Sequence, residues 1–455
     1  MPETLILIEK GVIPMKRLSK VLFFQILSIF IIALLLTPAL SADNQASSQK
    51  VLTFINTMND EENETLSELI GQYSKKHPEI KIQVENISFY DAKSVIENRF
   101  KENNLPDIMR VEIRLVVPFA KKGMFYPLDS FISTEDYVDY LPYLYKFSVI
   151  DGKNLFGIPQ VTDCLALFYN KTLFNEAKIE EEPKSMEQFL NAARRLTVDE
   201  EGNHSDSPAF NQYKTARYGF SYHFESYYLL PFVFSYGGNL CDEKGRPMIN
   251  TENTKAALRL IYDLKNRYNV VPSKIDPKFG HDFTLMEFMD GRVAMIIDGP
   301  WNIKKILKGN VFANKKNALG VFPIPRKQVS GSPIGGQFLT VSAKSKYPKE
   351  AYEFINFINS KQSQILFGKQ NYIIPTRKSA LDEIQKDLTE PDYSIRKGLY
   401  EQMKLAALYA FNIPEPAYLD EMNKMLEKLL NGNTGFEESL RELEKKINKL
   451  IENRN

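Results

Sequence analysis

The sequence predicts an α/β protein with two large domains, and three observations support this prediction. Compact apolar runs typical of strands alternate with segments whose apolar residues recur at helical spacing. Near the N-terminus these segments follow the order strand, helix, strand, helix, strand, as expected for an α/β sheet. The chain has 455 residues, which is more than a single hydrophobic core usually supports.

The first elements follow a short polar linker. In chain order, the sequence predicts a strand at 51–56, a helix that ends at Pro78, a strand at 79–87, a helix from about Asp91 and a strand at 106–112. Ligands of α/β sheets bind beyond the carboxyl ends of the strands. The carboxyl ends of the predicted strands at 51–56 and 106–112 lie at residues 56–60 and 110–112, which are therefore candidates for a ligand site.

The remaining segments continue the pattern. The sequence predicts a strand within 157–171, a helix that begins after Pro183, an aromatic-rich stretch at 224–239, an amphipathic helix within 251–272, a strand, a Gly-Pro turn and a helix within 290–307, a strand at 335–345, two helices within 347–370 and an amphipathic helix within 435–455. The strand within 157–171 is unusual, because polar Gln160, Thr162 and Asp163 interrupt an apolar run. Cys164, the next residue, is expected to point into the core.

The first 42 residues have the pattern of a secretory signal peptide. Basic residues follow Met15, an apolar run covers 21–36, and small residues at 39–42 offer a cleavage site. We expect the segment 1–42 to be cleaved, with Met15 as an alternative start of translation. The other interpretation is a retained membrane anchor, since the apolar run is nearly long enough to span a bilayer.

Composition and charge exclude several classes of protein. The formal net charge is +1 at pH 7, with 43% hydrophobic and 25% charged residues. A globular composition excludes a disordered chain or a protein with many membrane spans. Without a basic stripe to follow a phosphate backbone, we expect no nucleic-acid partner.

Cysteine usage favours an exported protein without a disulfide framework. The chain contains Cys164 and Cys241 alone, and their spacing does not show whether they pair. No cysteine follows the leader, where a bacterial lipid-attachment signal would place one. We therefore expect a periplasmic or secreted protein rather than a lipoprotein.

The sequence contains no catalytic motif. Its four histidines lie neither at metal-ligand spacing nor in a nucleophile pattern, and it has no phosphate loop, nucleotide fingerprint or GxSxG. The acidic loop at 198–210 lacks the acid that completes a calcium loop, since Phe210 stands there. A glycosidase needs two positioned carboxylates, and the sequence does not indicate which two. We expect no metal, no cofactor and no enzyme activity.

Aromatic residues beside acids suggest a carbohydrate ligand, because aromatic faces pack on sugar C–H groups while acids, amides and Arg bind hydroxyls. Trp301, the single tryptophan, follows Gly299-Pro300 after a predicted buried strand. Tyr227 and Tyr228 follow Glu225 closely. By position alone, each of these aromatic residues is better explained as part of the core.

An ordered set of motifs resembles family 1 of the bacterial extracellular solute-binding proteins, the sugar-capturing components of ABC importers. The matching segments are GIPQVTDCLALFYNKTLFNEA, PKSMEQFLNAARRLT, FSYGGNL, VAMIIDGPW, GVFPIPR and YPKEAYEFINFI. No single motif is specific, but the set covers the chain from about Val51 to the C-terminus. The resemblance implies the type II (Venus flytrap) periplasmic-binding-protein fold, in which hinge strands join two lobes.

The resemblance also implies lobe boundaries. We expect an N-terminal lobe of residues 50–160 plus 337–385 and a C-terminal lobe of residues 161–336 plus 386–455. The chain is expected to cross between the lobes near 158–163, 336–341 and 383–390.

Ligand-binding residues follow from the same resemblance. Sugar-contacting residues of the maltose-binding member of the family match Asp163, Glu225, Tyr227 and Trp301, and Gln160 lies at the same lobe crossing as Asp163. Other positions depart from that member: Val111, Arg114, Leu115, Asp420 and Lys424 replace its remaining Trp, Asp and Arg contacts. We therefore expect a different sugar, or a site that uses the residues placed by strand-end topology: Asn59, Asp60, Arg110, Glu112 and Gln337.

The resemblance implies a monomeric binding protein that captures a disaccharide or oligosaccharide. Its cleft closes on the ligand, and the closed form delivers the sugar to ABC permease subunits in the membrane. Two alternatives remain open. The same fold could bind a non-sugar solute such as glycerol phosphate or a polyamine, or the chain could be a secreted glycoside-active enzyme, which would convert its sugar.

Overall fold

The computed structural model describes residues 49–223, 225–242, 246–272, 280–386, 388–409, 416–430 and 435–452. The predicted signal peptide at 1–42 lies outside these ranges. Nearly all described residues belong to one compact unit, Val51–Asn455. Among the described helices, none combines the length and the apolar character needed to cross a bilayer.

Strands and helices alternate through this unit. The strands are β1 (Lys50–Asn56), β2 (Ile80–Asn86), β3 (Ile108–Glu112), β4 (Val149–Ile150), β5 (Asn154–Leu155), β6 (Ile158–Cys164), β7 (Ala166–Asn170), β8 (Val198–Asp199), β9 (Thr215–Arg217), β10 (Met295–Asp298), β11 (Leu319–Phe322), β12 (Ile334–Val341) and β13 (Ile374–Pro375). The α-helices are α1 (Asp60–Lys76), α2 (Ala92–Lys101), α3 (Val116–Lys121), α4 (Thr134–Asp139), α5 (Lys171–Glu176), α6 (Met186–Leu196), α7 (Ser226–Ser235), α8 (Glu252–Asn266), α9 (Gly280–Met289), α10 (Ile303–Leu307), α11 (Pro348–Ile358), α12 (Lys361–Asn371), α13 (Lys378–Lys386), α14 (Asp392–Tyr409), α15 (Pro416–Leu430) and α16 (Phe436–Glu452). The predicted order of strands and helices at the N-terminus is confirmed as β1-α1-β2-α2-β3.

The larger sheet has six strands in the order β13-β6-β12-β3-β1-β2. Strand β1 pairs in parallel with β3, whereas β12 runs antiparallel to both β3 and β6. Helix α1 contacts α11 and α12 in the layer that covers one face of this sheet. Because β1 and β3 are parallel, their carboxyl ends open at the same edge.

The smaller sheet has three strands, with β7 between β10 and β11 and antiparallel to both. Only Leu165 separates β7 from β6 of the larger sheet. The stretch 157–171, predicted from the sequence as one strand, is therefore two strands in different sheets. The backbone N–H of Leu165 donates to the Ser332 hydroxyl, 2.8 Å away, instead of continuing a ladder.

Helix starts follow the local signals in the sequence. Ser185, two residues after Pro183, caps α6, and the Gln188 side chain accepts a hydrogen bond from the Ser185 backbone N–H. The same reciprocal arrangement joins Asn59 and Glu62 at the start of α1. Such caps satisfy backbone N–H groups that have no partner inside the helix.

The C-terminal helix α16 packs against α15. Its predicted apolar face is confirmed, because Phe436, Leu440, Leu443 and Ile447 are buried. This burial explains the helical spacing of apolar residues in a segment that is otherwise highly charged.

Both cysteines are buried thiols. Cys164 packs in the core, as predicted, and burial raises the pKa of its thiol. A buried thiol with a raised pKa has little thiolate character and is chemically inert.

Candidate functional site

A cavity of about 370 Å³ lies at the carboxyl edge of β1 and β3. Its volume is in the range of small-molecule binding pockets. Eight of the ten predicted site residues line it, namely Asn59, Arg110, Glu112, Asp163, Glu225, Tyr227, Trp301 and Gln337. The cavity thus unites residues from β3, β6 and β12 with the start of α7 and the turn after β10.

Gln160 and Asp60 occupy other positions. Side chains alternate between the two faces of a strand, so Val161 and Asp163 of β6 line the cavity while Gln160 is buried beneath it. Asp60 begins α1 and points to solvent. Strand-end topology predicts the edge of the sheet at which the cavity lies. It does not predict whether the side chain of a given residue faces the cavity or points away from it.

A buried ion pair forms the floor of the cavity. The Nη2 atom of Arg110 donates to Glu62 Oε1 at 3.0 Å, and its Nε donates to Gln160 Oε1 at 3.0 Å. A longer bond of 3.3 Å joins Nη1 to the Thr57 hydroxyl. Arg110 lines the cavity, but its N–H groups donate to acceptors within the protein. These hydrogen bonds join β3 to α1 and β6. Sequence reasoning missed Glu62, although its capping-box position three residues after Asn59 was visible.

Arg114 lines the cavity. In the sequence it is one of the positions at which this chain differs from the sugar contacts of the maltose-binding member of the family. Its Nε donates to Glu112 Oε1 at 2.8 Å, and its guanidinium carbon lies 5.8 Å from the centre of the Tyr227 ring. Its Nη1 atom is buried and has no partner among the described residues. Oε1 of Gln337 is likewise buried and has no partner among the described residues. Gln337 is 8% exposed and lies opposite Glu112 in the pairing of β12 with β3. Buried polar atoms are normally satisfied, so Arg114 Nη1 is available as a donor to a ligand and Gln337 Oε1 as an acceptor.

The two carboxyl groups of Asp163 and Glu225 face the cavity without an ion pair among the residues that the structure describes. Burial, followed by the nearby Glu112 carboxylate, raises the pKa of Asp163 to about 7, against the lowering effect of Arg110 and Arg114. Burial also raises the pKa of Glu225. Unpaired, partly desolvated carboxyl groups are strong hydrogen-bond partners for a ligand.

The raised pKa of Asp163 predicts a stability change with pH. The folded state holds this proton more tightly than the unfolded chain, whose ordinary value is 3.8, so the free energy of unfolding falls as pH rises from about 4 to about 7. Asp163→Asn does not titrate, so its advantage in unfolding free energy over the wild type is expected to grow by at most about 2.5 kcal/mol between pH 5 and pH 7.5. Urea unfolding of the unliganded protein at both pH values measures this difference.

Asp60→Asn is the matched control, because Asp60 is exposed. It should leave the pH profile of the wild type unchanged. A profile of Asp163→Asn that is parallel to that of the wild type would show that Asp163 titrates like a solvated carboxylate.

A buried carboxylate shapes the turn that carries Trp301. The Asp298 side chain accepts hydrogen bonds from the Gly299 backbone N–H at 2.7 Å and from Asn302 Nδ2 at 3.0 Å. The indole ring lies against Gly299 so closely that a Cβ there would come within 2.1 Å of two of its ring carbons. The Trp301 carbonyl accepts a hydrogen bond from Asn59 Nδ2 at 3.3 Å. The ring is partly buried and packs on the core, so it is both a packing residue and a cavity wall.

Two consecutive glycines allow β12 to pass close to β6. A Cβ on Gly335 would lie 2.0 Å from Asp163 Oδ1 and 2.8 Å from the Tyr227 hydroxyl oxygen. Gly336 has a φ of +139° and would place a Cβ 2.2 Å from the Val161 carbonyl oxygen. A side chain at Gly336 would clash with backbone, whereas one at Gly335 would have to displace the side-chain oxygens of Asp163 and Tyr227.

Gly335→Ala is expected to displace the Asp163 carboxyl group and to lower ligand affinity by about tenfold. The clash involves the end of a side chain rather than backbone, so the free energy of unfolding should fall by less than about 2 kcal/mol. Titration calorimetry and urea unfolding measure the two quantities. Gly71→Ala in α1 is the control, since its Cβ would meet nothing within 4 Å; it should keep the affinity and raise stability slightly. Full affinity in Gly335→Ala would contradict a role for Asp163 in binding.

Two aromatic residues at the mouth of the cavity were missed from the sequence. Phe89 and Tyr90 lie between β2 and α2, and both line the cavity. They are 46% and 67% exposed, respectively. The strand-end rule that located β1 and β3 applies equally to β2 and would have found them.

The segment 59–365 matches the family model of the bacterial extracellular solute-binding proteins. The chain belongs to this family. The predicted resemblance is thereby confirmed, and with it the type II two-lobe fold with hinge strands. Members of this family are transport binding proteins that act outside the cytoplasm.

Individual members show the same likeness. The chain is 23% identical over 406 residues to the maltodextrin-binding protein of Bacillus subtilis, covering 87% of this chain and 88% of that protein. The multiple sugar-binding protein of Streptococcus mutans is 20% identical over 361 residues, covering 77% and 80%. For a binding protein of Brucella abortus, the match is 21% identical and spans 60% of this chain but only 62% of the length of that relative.

The structural match extends over nearly the whole fold. The GacH receptor of Streptomyces glaucescens, solved unliganded and with acarbose, superimposes with a TM-score of 0.75 at 28% identity, covering 89% of this chain and 99% of that receptor. The Thermus thermophilus maltotriose-binding protein gives a TM-score of 0.71 at 22% identity, covering 88% and 100%, and supports the fold alone.

Proposed function

We propose that this solute-binding protein captures a disaccharide or oligosaccharide outside the cytoplasm and delivers it to an ABC import permease. One observation carries the proposal. The aromatic rings of Trp301 and Tyr227 share a cavity with the unpaired carboxyl groups of Asp163 and Glu225. Aromatic rings pack on the apolar faces of a sugar, and carboxyl groups accept hydrogen bonds from its hydroxyl groups. The names of the relatives, which bind multiple sugars and maltodextrin, support the same class of ligand.

For the two lobes we propose residues 50–160 plus 337–385 and residues 161–336 plus 386–455. Two observations support crossings between the lobes in β6 and β12. These strands pair with each other, and β7, which belongs to the other sheet, starts two residues after β6 ends. The third crossing, proposed near 383–390, is supported by packing. Helix α13 contacts α12, whereas α14 packs on β11 of the smaller sheet.

The ligand supplies the free energy for closure. Three contacts join the rims of the cavity around α1 and α10: Asn59 to the Trp301 carbonyl, Lys304 to Glu64 at 3.3 Å and Lys308 to Glu61 at 2.9 Å. Exposed ion pairs of this kind contribute about 0–1 kcal/mol each. Such contacts alone hold the lobes together weakly, so a ligand that touches both lobes shifts the population towards the closed form.

The electrostatics of the cavity disfavour a phosphorylated ligand. Both of its arginines have their charge balanced by an acid of the protein, Arg110 by Glu62 and Arg114 by Glu112, although Nη1 of Arg114 has no partner among the described residues. Phosphate recognition needs arginines or helix N-termini that are free to bind it. A cationic solute such as a polyamine is the second candidate, because Asp163 and Glu225 would both attract it.

For the exported protein we propose cleavage of the leader, a periplasmic or secreted location, a monomeric state and permease subunits as its membrane partner. Catalysis has no role in this cycle. A glycoside-active enzyme would use two cavity carboxyls on the same sugar, so turnover separates the two functions.

Titration calorimetry of the protein from Ala46 onward against mono-, di- and oligosaccharides, polyamines and glycerol phosphate tests the proposal. The expected result is a saturable 1:1 ligand among the sugars that is recovered intact. Trp301 is the chain's single tryptophan, so a change in intrinsic fluorescence would report binding within this cavity. Binding of polyamines alone would favour the second candidate, and hydrolysed sugar would identify an enzyme.

A further inference from the structure

The aromatic lining of the cavity is graded from buried to exposed. Tyr228 is 5% exposed and Trp301 is partly buried, whereas Phe89 and Tyr90 leave about half or more of their surface to solvent, at 46% and 67%. Other exposed aromatic side chains, such as Tyr213 at 90%, do not line the cavity. Phe89 and Tyr90 are therefore the solvent-exposed part of the aromatic lining of this cavity.

The arrangement of the two rings suits a sugar ring. Their centroids are 5.6 Å apart and their planes meet at 79°. Edge-to-face pairs of this kind are stable and present two aromatic faces in different directions. A pyranose seated on one face would contact the edge of the other.

We propose that Phe89 and Tyr90 form an outer subsite that binds the second or a later ring of an oligosaccharide and so determines the ligand length. The proposal rests on the proposed carbohydrate-binding function. The inner walls of Trp301 and Tyr227 hold one end of the ligand among the polar groups. Further rings extend towards the mouth, where Phe89 and Tyr90 offer exposed aromatic rings for stacking. Affinity therefore rises with chain length until the outer subsite is filled.

The test compares the wild type with the double variant Phe89→Ala/Tyr90→Ala, using a homologous series from mono- to tetrasaccharide in titration calorimetry. The double variant is expected to bind the longest ligand about tenfold more weakly. Its affinity for the shortest ligand that binds should stay within about twofold of the wild type. Both side chains are largely exposed, so the thermal midpoint should not change.

Two further variants sharpen the result. Tyr213→Ala removes an exposed aromatic residue outside the cavity and should change the affinity for no ligand. Tyr90→Phe keeps the ring and should keep the affinity for long ligands. A loss in Tyr90→Phe as large as in the double variant Phe89→Ala/Tyr90→Ala would overturn a stacking subsite.

Other outcomes separate this proposal from the one on which it rests. An equal loss for every ligand length, or no loss for any, would overturn the outer subsite while leaving carbohydrate binding intact. If the wild type bound none of the sugars, the proposed function would fail, and the subsite with it.

Discussion

Trp301→Ala is expected to weaken sugar binding by at least about 30-fold, or about 2 kcal/mol. The indole ring is a wall of the cavity, held by its contact with Gly299 and by the Asp298 carboxylate that fixes the turn. Alanine removes the aromatic face on which the sugar ring would stack, so that side of a bound sugar would be exposed to water. Titration calorimetry measures the loss, because the variant has no tryptophan fluorescence.

Trp301→Phe keeps part of the aromatic face and should show an intermediate affinity. Since the ring also packs on the core, urea unfolding of each variant must show that the protein is folded at the temperature of titration. Unchanged affinity in a folded Trp301→Ala would remove Trp301 from the site and return it to a purely structural role.

Arg110→Met is expected to lower the free energy of unfolding by about 3–5 kcal/mol, the largest stability effect that we predict. Both partners of its ion pair are buried, with side-chain exposures of 4% for Arg110 and 7% for Glu62. Removal of the guanidinium leaves the Glu62 carboxylate desolvated and unpaired, and also removes donors to Gln160 and Thr57. Urea unfolding at neutral pH measures the change.

Arg99→Met provides the matched control. Arg99 pairs with Glu85 at 2.7 Å, but both side chains are substantially exposed, at 28% and 47%, so the loss should stay below about 1 kcal/mol. Glu62→Gln in the Arg110→Met background removes the unpaired charge and should recover part of the stability. Equal losses in Arg99→Met and Arg110→Met would contradict a structural role for the buried pair.

The sequence predicted the fold well because its signals are local. The periodicity of α1 and α8 and the cap at Ser185 depend on neighbouring residues alone, and the motif set supplied the two-lobe fold. The break at Leu165 was not predictable in this way. It depends on the Ser332 hydroxyl, which lies 167 positions away in the chain, and on a change of sheet that leaves the apolar pattern unaltered.

The same distinction applies to the site. Strand-end topology brought Asn59, Arg110, Glu112 and Gln337 to one edge, and the resemblance added residues of β6, α7 and the Trp301 turn. Neither approach could show that Arg110 is paired within the protein while Arg114 keeps a free nitrogen. Those roles follow from which groups meet in three dimensions. Phe89 and Tyr90 follow the carboxyl end of β2, so their positions at the cavity carry a local signal in the sequence.

The burial of both native thiols has a practical consequence for biosensor design. Cys164 and Cys241 are 0% and 3% exposed, so thiol-reactive dyes have no accessible native target in the folded protein. The variant Glu64→Cys, at a side chain that is 75% exposed on the rim facing Lys304, would accept a single fluorophore next to a rim contact that the proposed closure would change. The unmodified chain thus already has the background required of a site-specifically labelled optical sensor.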